Sequence, residues 1–315
     1  MAVLALDLGG TKLATAIFTN EGEKIYSNTV TLNKKSGGEV GQLITEEVVQ
    51  CLRFAEEKSI LVRSLGICVP GIAHAETGHV WAPNISGWEN YPLRKELETV
   101  LAGKNIAAHI DSDRSCYILG ERWKGNAQGC DNAIFLSVGT GIGAGILVNG
   151  KPLRGANDIG GAIGWMALDK PYDEKYISCG CFEYNASGEG IVKVAKEFIG
   201  MEKQQASALS TVADLSAKHI IEAYHQQDEI AVRVIDNAIG YWGMAAANLV
   251  SLFNPEKIIF GGGVFGPALQ FLPEIYEESK KWAQPISINK VEFTGPALGA
   301  DAGIYGAGYL ALNNE

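Results

Sequence analysis

The sequence predicts an α/β protein built from two similar halves, and three observations lead there. The first is a pair of stretches built alike. Ala5-Leu6-Asp7-Leu8-Gly9-Gly10-Thr11-Lys12 runs on into apolar Ala14-Thr15-Ala16-Ile17-Phe18, and Phe135-Leu136-Ser137-Val138-Gly139-Thr140-Gly141-Ile142 runs on into Ala144-Gly145-Ile146-Leu147-Val148. Setting Gly9 on Gly139 gives an offset of 130 residues (139 − 9) that superimposes the apolar runs and the turns. The second is the alternation of short β-branched runs with longer periodic segments. The third is size: 315 residues, 47% of them hydrophobic, suit about two packed domains.

Each repeated stretch reads as strand, tight Gly/Thr turn, strand, giving strands at about 2–8 and 13–19 in the first half and 133–138 and 144–148 in the second. Lys24 to Leu32 is β-branched and roughly alternating, as an edge strand should be. Further strands are expected at about 64–69, 106–111 and 257–261, and helices at about 39–58, 91–101, 113–124, 187–199, 212–226 and 229–253. In the last helix Ile235, Ile239, Trp242, Ala246, Leu249 and Phe253 form one apolar stripe, and Asn254-Pro255 stops it. No Ser/Pro/Gly-rich linker separates the halves, so the junction is expected just after Asp111. Gly/Thr turns admit backbone N–H groups close to an anion, because no Cβ intervenes. Two of them predict a cleft with one anion-gripping hairpin on each wall, Gly9–Lys12 opposite Gly139–Gly143.

Composition narrows the function. A formal net charge of −10 disfavours nucleic acid and anionic membrane as partners. The start, Met1-Ala2-Val3-Leu4-Ala5-Leu6-Asp7, lacks a basic region and reads as a buried strand rather than a signal peptide. No apolar run is long enough to span a membrane. Six cysteines scattered through the chain (Cys51, Cys68, Cys116, Cys130, Cys179, Cys181) read as reduced thiols of a cytoplasmic protein. A Walker P-loop is absent. Gly139-Thr140-Gly141-Ile142-Gly143-Ala144-Gly145 imitates a dinucleotide-binding fingerprint, but Ile146-Leu147-Val148-Asn149-Gly150 continues as strand and hairpin turn where that fingerprint needs a helix.

At this point the chain resembles the ROK family of sugar kinases and repressors, of the actin-like ATPase (ribonuclease H-like) fold. Asp7-Leu8-Gly9-Gly10-Thr11-Lys12 is similar to the family's opening D-x-G-G-T-K, Val69-Pro70-Gly71 to its P-G element, and Asn84-Ile85-Ser86-Gly87-Trp88 to its N-x-x-G-W segment. Gly139-Thr140-Gly141-Ile142-Gly143 resembles the second phosphate loop and Leu153-Arg154-Gly155-Ala156 the stretch after it. Asn254 to Gly263 resembles the helix–strand–glycine segment beside the nucleotide, and Ala297-Leu298-Gly299-Ala300-Asp301-Ala302-Gly303 the start of the closing helix. The resemblance implies domains over 1–111 and 112–300, with a helix from about 301–315 that can pack back on the first. It also implies a homodimer.

The implied chemistry is transfer of a phosphoryl group from ATP, with Mg²⁺, to a sugar hydroxyl. Counting back from Gly120-Glu121 puts Asp113 on the family's catalytic base. Its rival role is that of an N-cap, a common task for Asp after a strand. Position alone leaves the two even, and the two phosphate loops favour the base. Asp7 is implied as the metal-side carboxylate, acting through water, and Lys12 can meet phosphate or stand solvated. Gly9, Gly10, Thr11, Gly139, Thr140, Gly141, Gly261, Gly262 and Gly263 complete the implied ATP site. Gly71, Asn84, Ser112, Asp113, Glu183 and Trp165 make up the implied sugar site.

The chain also departs from the family. Where G-E-x-G-H is usual it reads Gly161-Ala162-Ile163-Gly164-Trp165, so a sugar-binding Glu and a His that binds zinc and also touches the sugar are replaced. Of the usual cysteine cluster only the end survives, as Cys179-Gly180-Cys181, with Glu174 and Tyr176 in earlier cysteine places. A tetrahedral zinc site wants four N/S ligands, so no zinc is expected. Ser112 replaces an Asn beside the base. Trp165 either stacks on a sugar face or fills volume, and packing is the safer expectation for a Trp. The resulting expectation is a sugar kinase of altered acceptor, the alternative being a catalytically weak sensor of the same fold. A repressor would need a helix-turn-helix ahead of the strand that begins at residue 2.

Overall fold

The computed structural model describes residues 1–201 and 207–313. The elements in chain order are β1 (Ala2–Leu8), β2 (Lys12–Thr19), β3 (Lys24–Thr31), α1 (Gly37–Glu57), β4 (Val62–Val69), β5 (Ile72–Ala73), β6 (Val80–Trp81), α2 (Leu93–Val100), β7 (Ala107–Ser112) and α3 (Asp113–Lys124). Then come β8 (Ala133–Val138), β9 (Ile142–Val148), β10 (Lys151–Pro152), α4 (Cys181–Ala186), α5 (Gly188–Met201), α6 (Ala217–His225), α7 (Glu229–Phe253), β11 (Lys257–Gly261), α8 (Leu272–Lys280), α9 (Pro285–Ile288), β12 (Glu292–Thr294) and α10 (Ala302–Leu312), with short 3₁₀ turns between some of them.

The predicted repeat is present as topology. One five-stranded sheet runs β3-β2-β1-β4-β7 and the other β10-β9-β8-β11-β12. In each, the first strand pairs antiparallel with the second and parallel with a later one: β1 with β2 and β4, β8 with β9 and β11. The hairpins close at Leu8↔Leu13 and Val138↔Ile142, so the second turn is one residue shorter.

By packing, one compact unit comprises 1–129, 152–160 and 296–315, and the other 130–151 and 161–295. This differs from a junction after Asp111, because α3 stays with the first unit. It is locked to α10 by near-zero clearance. A Cβ on Gly306 would lie 1.8 Å from the Cys116 carbonyl oxygen, and one on Gly120 would lie 2.3 Å from that of Ala302. Glu121, fully buried on α3, accepts from the Asn126, Ala297 and Leu298 amides at 2.7, 3.2 and 3.0 Å. It thereby ties down the chain leading into α10. The opposite face of the first sheet packs on α1 and α2 through Val40, Ile44, Val48, Leu93 and Leu97.

The second unit's core is organised by α7. Ile235, Ile239, Trp242, Ala246 and Leu249 are buried as the stripe predicts, and Asn254 at φ 44° caps the helix in the left-handed region. The helix expected over 212–226 begins only at Ala217, where Ser216 Oγ accepts from the His219 amide at 3.5 Å. The strands β5, β6, β10 and β12 and the helices α4, α8 and α9 have no counterpart among the expected elements. Each is short, and too few residues carry a period.

Candidate active site

In the first unit the chemistry gathers at the C-terminal ends of β1 and β7. Asp7 ends β1 half-buried, with its carboxylate against Gly303 of α10, where a Cβ would fall 2.4 Å from Oδ2. Burial raises its pKa, while the Cys68 thiol and the Lys12 charge hold it down in part. The turn that follows is exposed at Gly10, Thr11 and Lys12, and the Gly9 amide donates to the Lys12 carbonyl at 2.8 Å. Asn84 comes to this turn, its Nδ2 3.2 Å from where a Cβ of Gly10 would be. The Asn84 loop is pinned by Trp88, which is fully buried, stacked on Tyr91 at 4.2 Å and donating from Nε1 to the Gly37 carbonyl at 3.1 Å.

The strand-to-helix turn after β7 gives the capping role to another residue. Ser112, not Asp113, is the N-cap of α3, its Oγ accepting from the Ser115 amide at 3.4 Å. Asp113 is the first helical residue, and its Oδ1 accepts from the Arg114 amide at 2.8 Å. Burial pushes its carboxyl up to about 6, offset in part by the Arg114 charge, with the Asp7 charge adding to the rise. Arg114 Nη2 also reaches the Gly71 carbonyl at 3.4 Å. Gly71 has to be glycine: its φ is +84°, and a Cβ would sit 2.1 Å from the Trp81 carbonyl oxygen. Gly10 and Asn84 are thus brought together, Ser112 and Asp113 share one turn, and Arg114 links that turn to Gly71.

Asp111 carries no signal of a site role in the sequence. It is 3% exposed, accepts from the Ser112 amide at 2.8 Å and pairs with Arg154 Nη2 at 2.7 Å. Burial raises its pKa and the Arg154 charge opposes the rise.

In the second unit, Gly139, Thr140 and Gly141 form the turn between β8 and β9, closed by the Gly139 amide on the Gly141 carbonyl at 2.9 Å. Glu183 on α4 supports it: its Oε2 accepts from the Ile142 amide at 2.6 Å, and Gly141 and Gly164 leave room for it. Burial raises its pKa, with the Ile142 amide and Lys193 opposing. Gly261 ends β11, Gly262 follows at φ +88°, and the Val264 amide donates to the Val138 carbonyl at 3.0 Å. Beside this turn lies a cavity of about 620 Å³. Its lining includes Thr140, Gly263 and Val264 from the turns and Lys193, Lys218 and Ile221 from α5 and α6. Its size suits a nucleotide-sized ligand. The helix residues of its wall are not legible in the sequence, because α5 and α6 carry no motif.

Trp165 calls for a correction. It ends a 3₁₀ turn with its side chain 59% exposed, so it fills no core volume. Cys181 is buried at the start of α4, where Asn185 Nδ2 donates to its carbonyl at 2.9 Å, and Cys179 is half-buried. Among the described residues no group of three or more His, Cys, Asp or Glu side chains is placed to hold a metal ion. No helix among them is long and apolar enough to cross a membrane.

The sequence model of the ROK family matches residues 3–314. The chain belongs to the ROK family. It is 33% identical to a glucokinase of Halalkalibacterium halodurans, covering 99% of this chain and 95% of that one. It is 30% identical to an N-acetyl-D-glucosamine kinase of Histophilus somni over 98% of both. Among solved structures it resembles a ROK family glucokinase from Streptomyces griseus in complex with glucose and AMPPNP, at TM-score 0.73 and 27% identity over 99% of both chains. The expected actin-like ATPase fold is therefore the fold of this ROK protein.

Proposed function

We propose that this ROK protein phosphorylates a hydroxyl of a hexose or amino sugar with ATP. The observation that carries the reading is Asp113: relieved of capping by Ser112, and with its pKa near 6, it is ionised at neutral pH and basic enough to take a proton. Its part is to accept the hydroxyl proton as the oxygen attacks the terminal phosphorus. Thr140 and Gly141 offer backbone N–H groups to phosphates, the Gly139 amide being spent on closing the turn. Lys193 and Lys218 supply positive charge, and Val264 and Ile221 an apolar wall for a base. Asp7 is the carboxylate suited to a magnesium ion, a hard cation that keeps most of its waters and takes one or two carboxylates with the substrate's phosphates. When bound, the ion neutralises charge on the phosphates. The relatives named as kinases of glucose and of N-acetylglucosamine support the substrate class.

The test is ATP consumption over a panel of glucose, mannose and their N-acetylated amino forms. No turnover of any sugar, with nucleotide binding intact, would instead favour the sensor. Within the panel, glucose is expected to be weak. Ala162 and Trp165 replace two side chains that would hydrogen-bond one side of the ring. Two neutral hydrogen bonds at ~0.5–1.5 kcal/mol each lower affinity by about one to two orders of magnitude. Efficient turnover of glucose would show that neither replacement governs specificity. Zinc is expected to be absent at stoichiometric level from tag-free protein, by elemental analysis, because Trp165 cannot ligate and Cys179 and Cys181 supply two donors of the four required. One equivalent of zinc would overturn that expectation.

A further inference from the structure

We propose that Arg154 is a positioning residue for the proton acceptor, acting through the buried Asp111 carboxylate. The inference rests on the reading of Asp113 as base. Asp111 uses its two oxygens for two different tasks. Oδ2 meets the Arg154 guanidinium at 2.7 Å, and Oδ1 takes the Ser112 amide at 2.8 Å. Ser112 in turn caps α3 through Ser115, and Asp113 is the next residue. The chain Arg154–Asp111–Ser112–Asp113 thus fixes the turn that presents the base, and three of its four members lie consecutively at the end of β7.

Charge makes the arrangement dependent on Arg154. A buried carboxylate without a partner is costly, and removing one member of such a pair leaves the other uncompensated. Asp111 is 3% exposed, with Asp158 a second negative charge that raises its pKa. The segment carrying Arg154 is held in place independently. Asp158 Oδ2 accepts from the Ala75 amide at 3.0 Å, and the Gly160 amide donates to the Arg154 carbonyl at 2.8 Å. Asp158 itself sits at φ 59°, in the left-handed region that non-glycine residues seldom adopt. That backbone is therefore fixed by its surroundings, and the guanidinium is delivered to Asp111 from an anchored loop. Without it, Asp111 is free to protonate or to swing toward solvent, and it gives up the Ser112 amide. Displacements of the order of 1 Å at a reacting group can cost about 10²-fold in rate.

The experiment measures kcat and KM for sugar and ATP, with the unfolding temperature, in the whole protein and in Arg154→Met, Arg154→Lys and the double variant Asp111→Asn/Arg154→Met. Arg154→Met is expected to lower kcat about 10- to 100-fold with both KM values within about threefold. Arg154→Lys should recover most of kcat by restoring the charge. The double variant should be faster than Arg154→Met alone. No uncompensated carboxylate remains in it, and the carboxamide oxygen introduced by Asp111→Asn still accepts from the Ser112 amide. Should Arg154→Met fail to fold, the comparison of the double variant with Arg154→Lys carries the test. The proposal is overturned by a loss of unfolding temperature with kcat unchanged, by a rise in sugar KM with kcat unchanged, or by a double variant slower than Arg154→Met. A fully active Asp113→Asn control would instead overturn the reading of Asp113 as base, so the two failures are distinguishable.

Discussion

Asp113→Asn is expected to lower kcat by about 10²–10⁴-fold, the usual contribution of a positioned base, while nucleotide binding persists. Asn keeps the shape and can still accept the Arg114 amide, so the helix start survives and the loss is one of proton acceptance. Binding of AMPPNP measured by calorimetry should be unchanged within a few-fold, because the cavity beside Thr140 and Gly263 is built from other elements. A variant of near wild-type rate would place the base elsewhere.

The same residue sets the pH dependence. Only the ionised carboxylate accepts a proton, so wild-type kcat/KM, which reports the free enzyme, should fall on the acid side with a midpoint near 6. The groups facing Asp113 are Arg114 on its own helix, Asp7 from β1, and Cys68 and Tyr117, whose own pKa values it helps to raise. The stability consequence has the opposite sign from that of a salt-bridged carboxylate. A folded pKa raised above 3.8 means that between about pH 4 and 6 the folded state holds the proton and the unfolded state does not. Stability therefore falls as pH rises through that window and stays lower above it. Asp113→Asn should accordingly unfold at a higher temperature than wild type at pH 8, with the difference shrinking below pH 4. A variant less stable than wild type at pH 8 would show that the carboxylate is held by compensating contacts.

Gly306→Ala is expected to have the largest effect on stability. The added carbon would lie 1.8 Å from the Cys116 carbonyl oxygen and 2.4 Å from its carbon, where no real Cβ is found, and both partners are helix backbone. Relief requires α10 and α3 to separate, which opens voids around Ile304, Ala307 and Cys116. Overpacking of this sort costs ~1–3 kcal/mol and sometimes more. At roughly 2–4 °C per kcal/mol for a domain of this size, the melting temperature should drop by about 2–12 °C. An unchanged melting temperature would mean that the two helices can slide apart freely. Larger residues at 306 are expected to abolish soluble expression.

What could be read from the sequence follows from how local each signal is. The paired hairpins, the apolar stripe of α7 and the start of α3 at Asp113 are each written within a few consecutive residues, and all three are present. Asp111 and Arg154 lie 43 positions apart with no spacing rule between them, so their ion pair emerges only when 152–160 packs beside β7. The cavity wall of Lys193, Lys218 and Ile221 is hidden for the same reason. Trp165 shows the reverse failure: a large ring is buried more often than not, and the general preference gave the wrong answer where the surrounding loop is rich in glycine and alanine and offers little side chain to cover it. α10 is expected only through the family resemblance, because its residues are apolar nearly all round and mark no single face.

That helix also bears on how the molecule comes into being. β1 leaves the ribosome about three hundred residues before the helix that covers it, whose Ala311 carbonyl receives the Ser64 hydroxyl. Residues 1–129 therefore wait through the synthesis of the second unit with Val3, Ala5, Phe18 and Cys116 lacking their final cover. The earlier-made unit is the later one to finish, and its apolar sheet face is the surface that a nascent-chain chaperone has to shield.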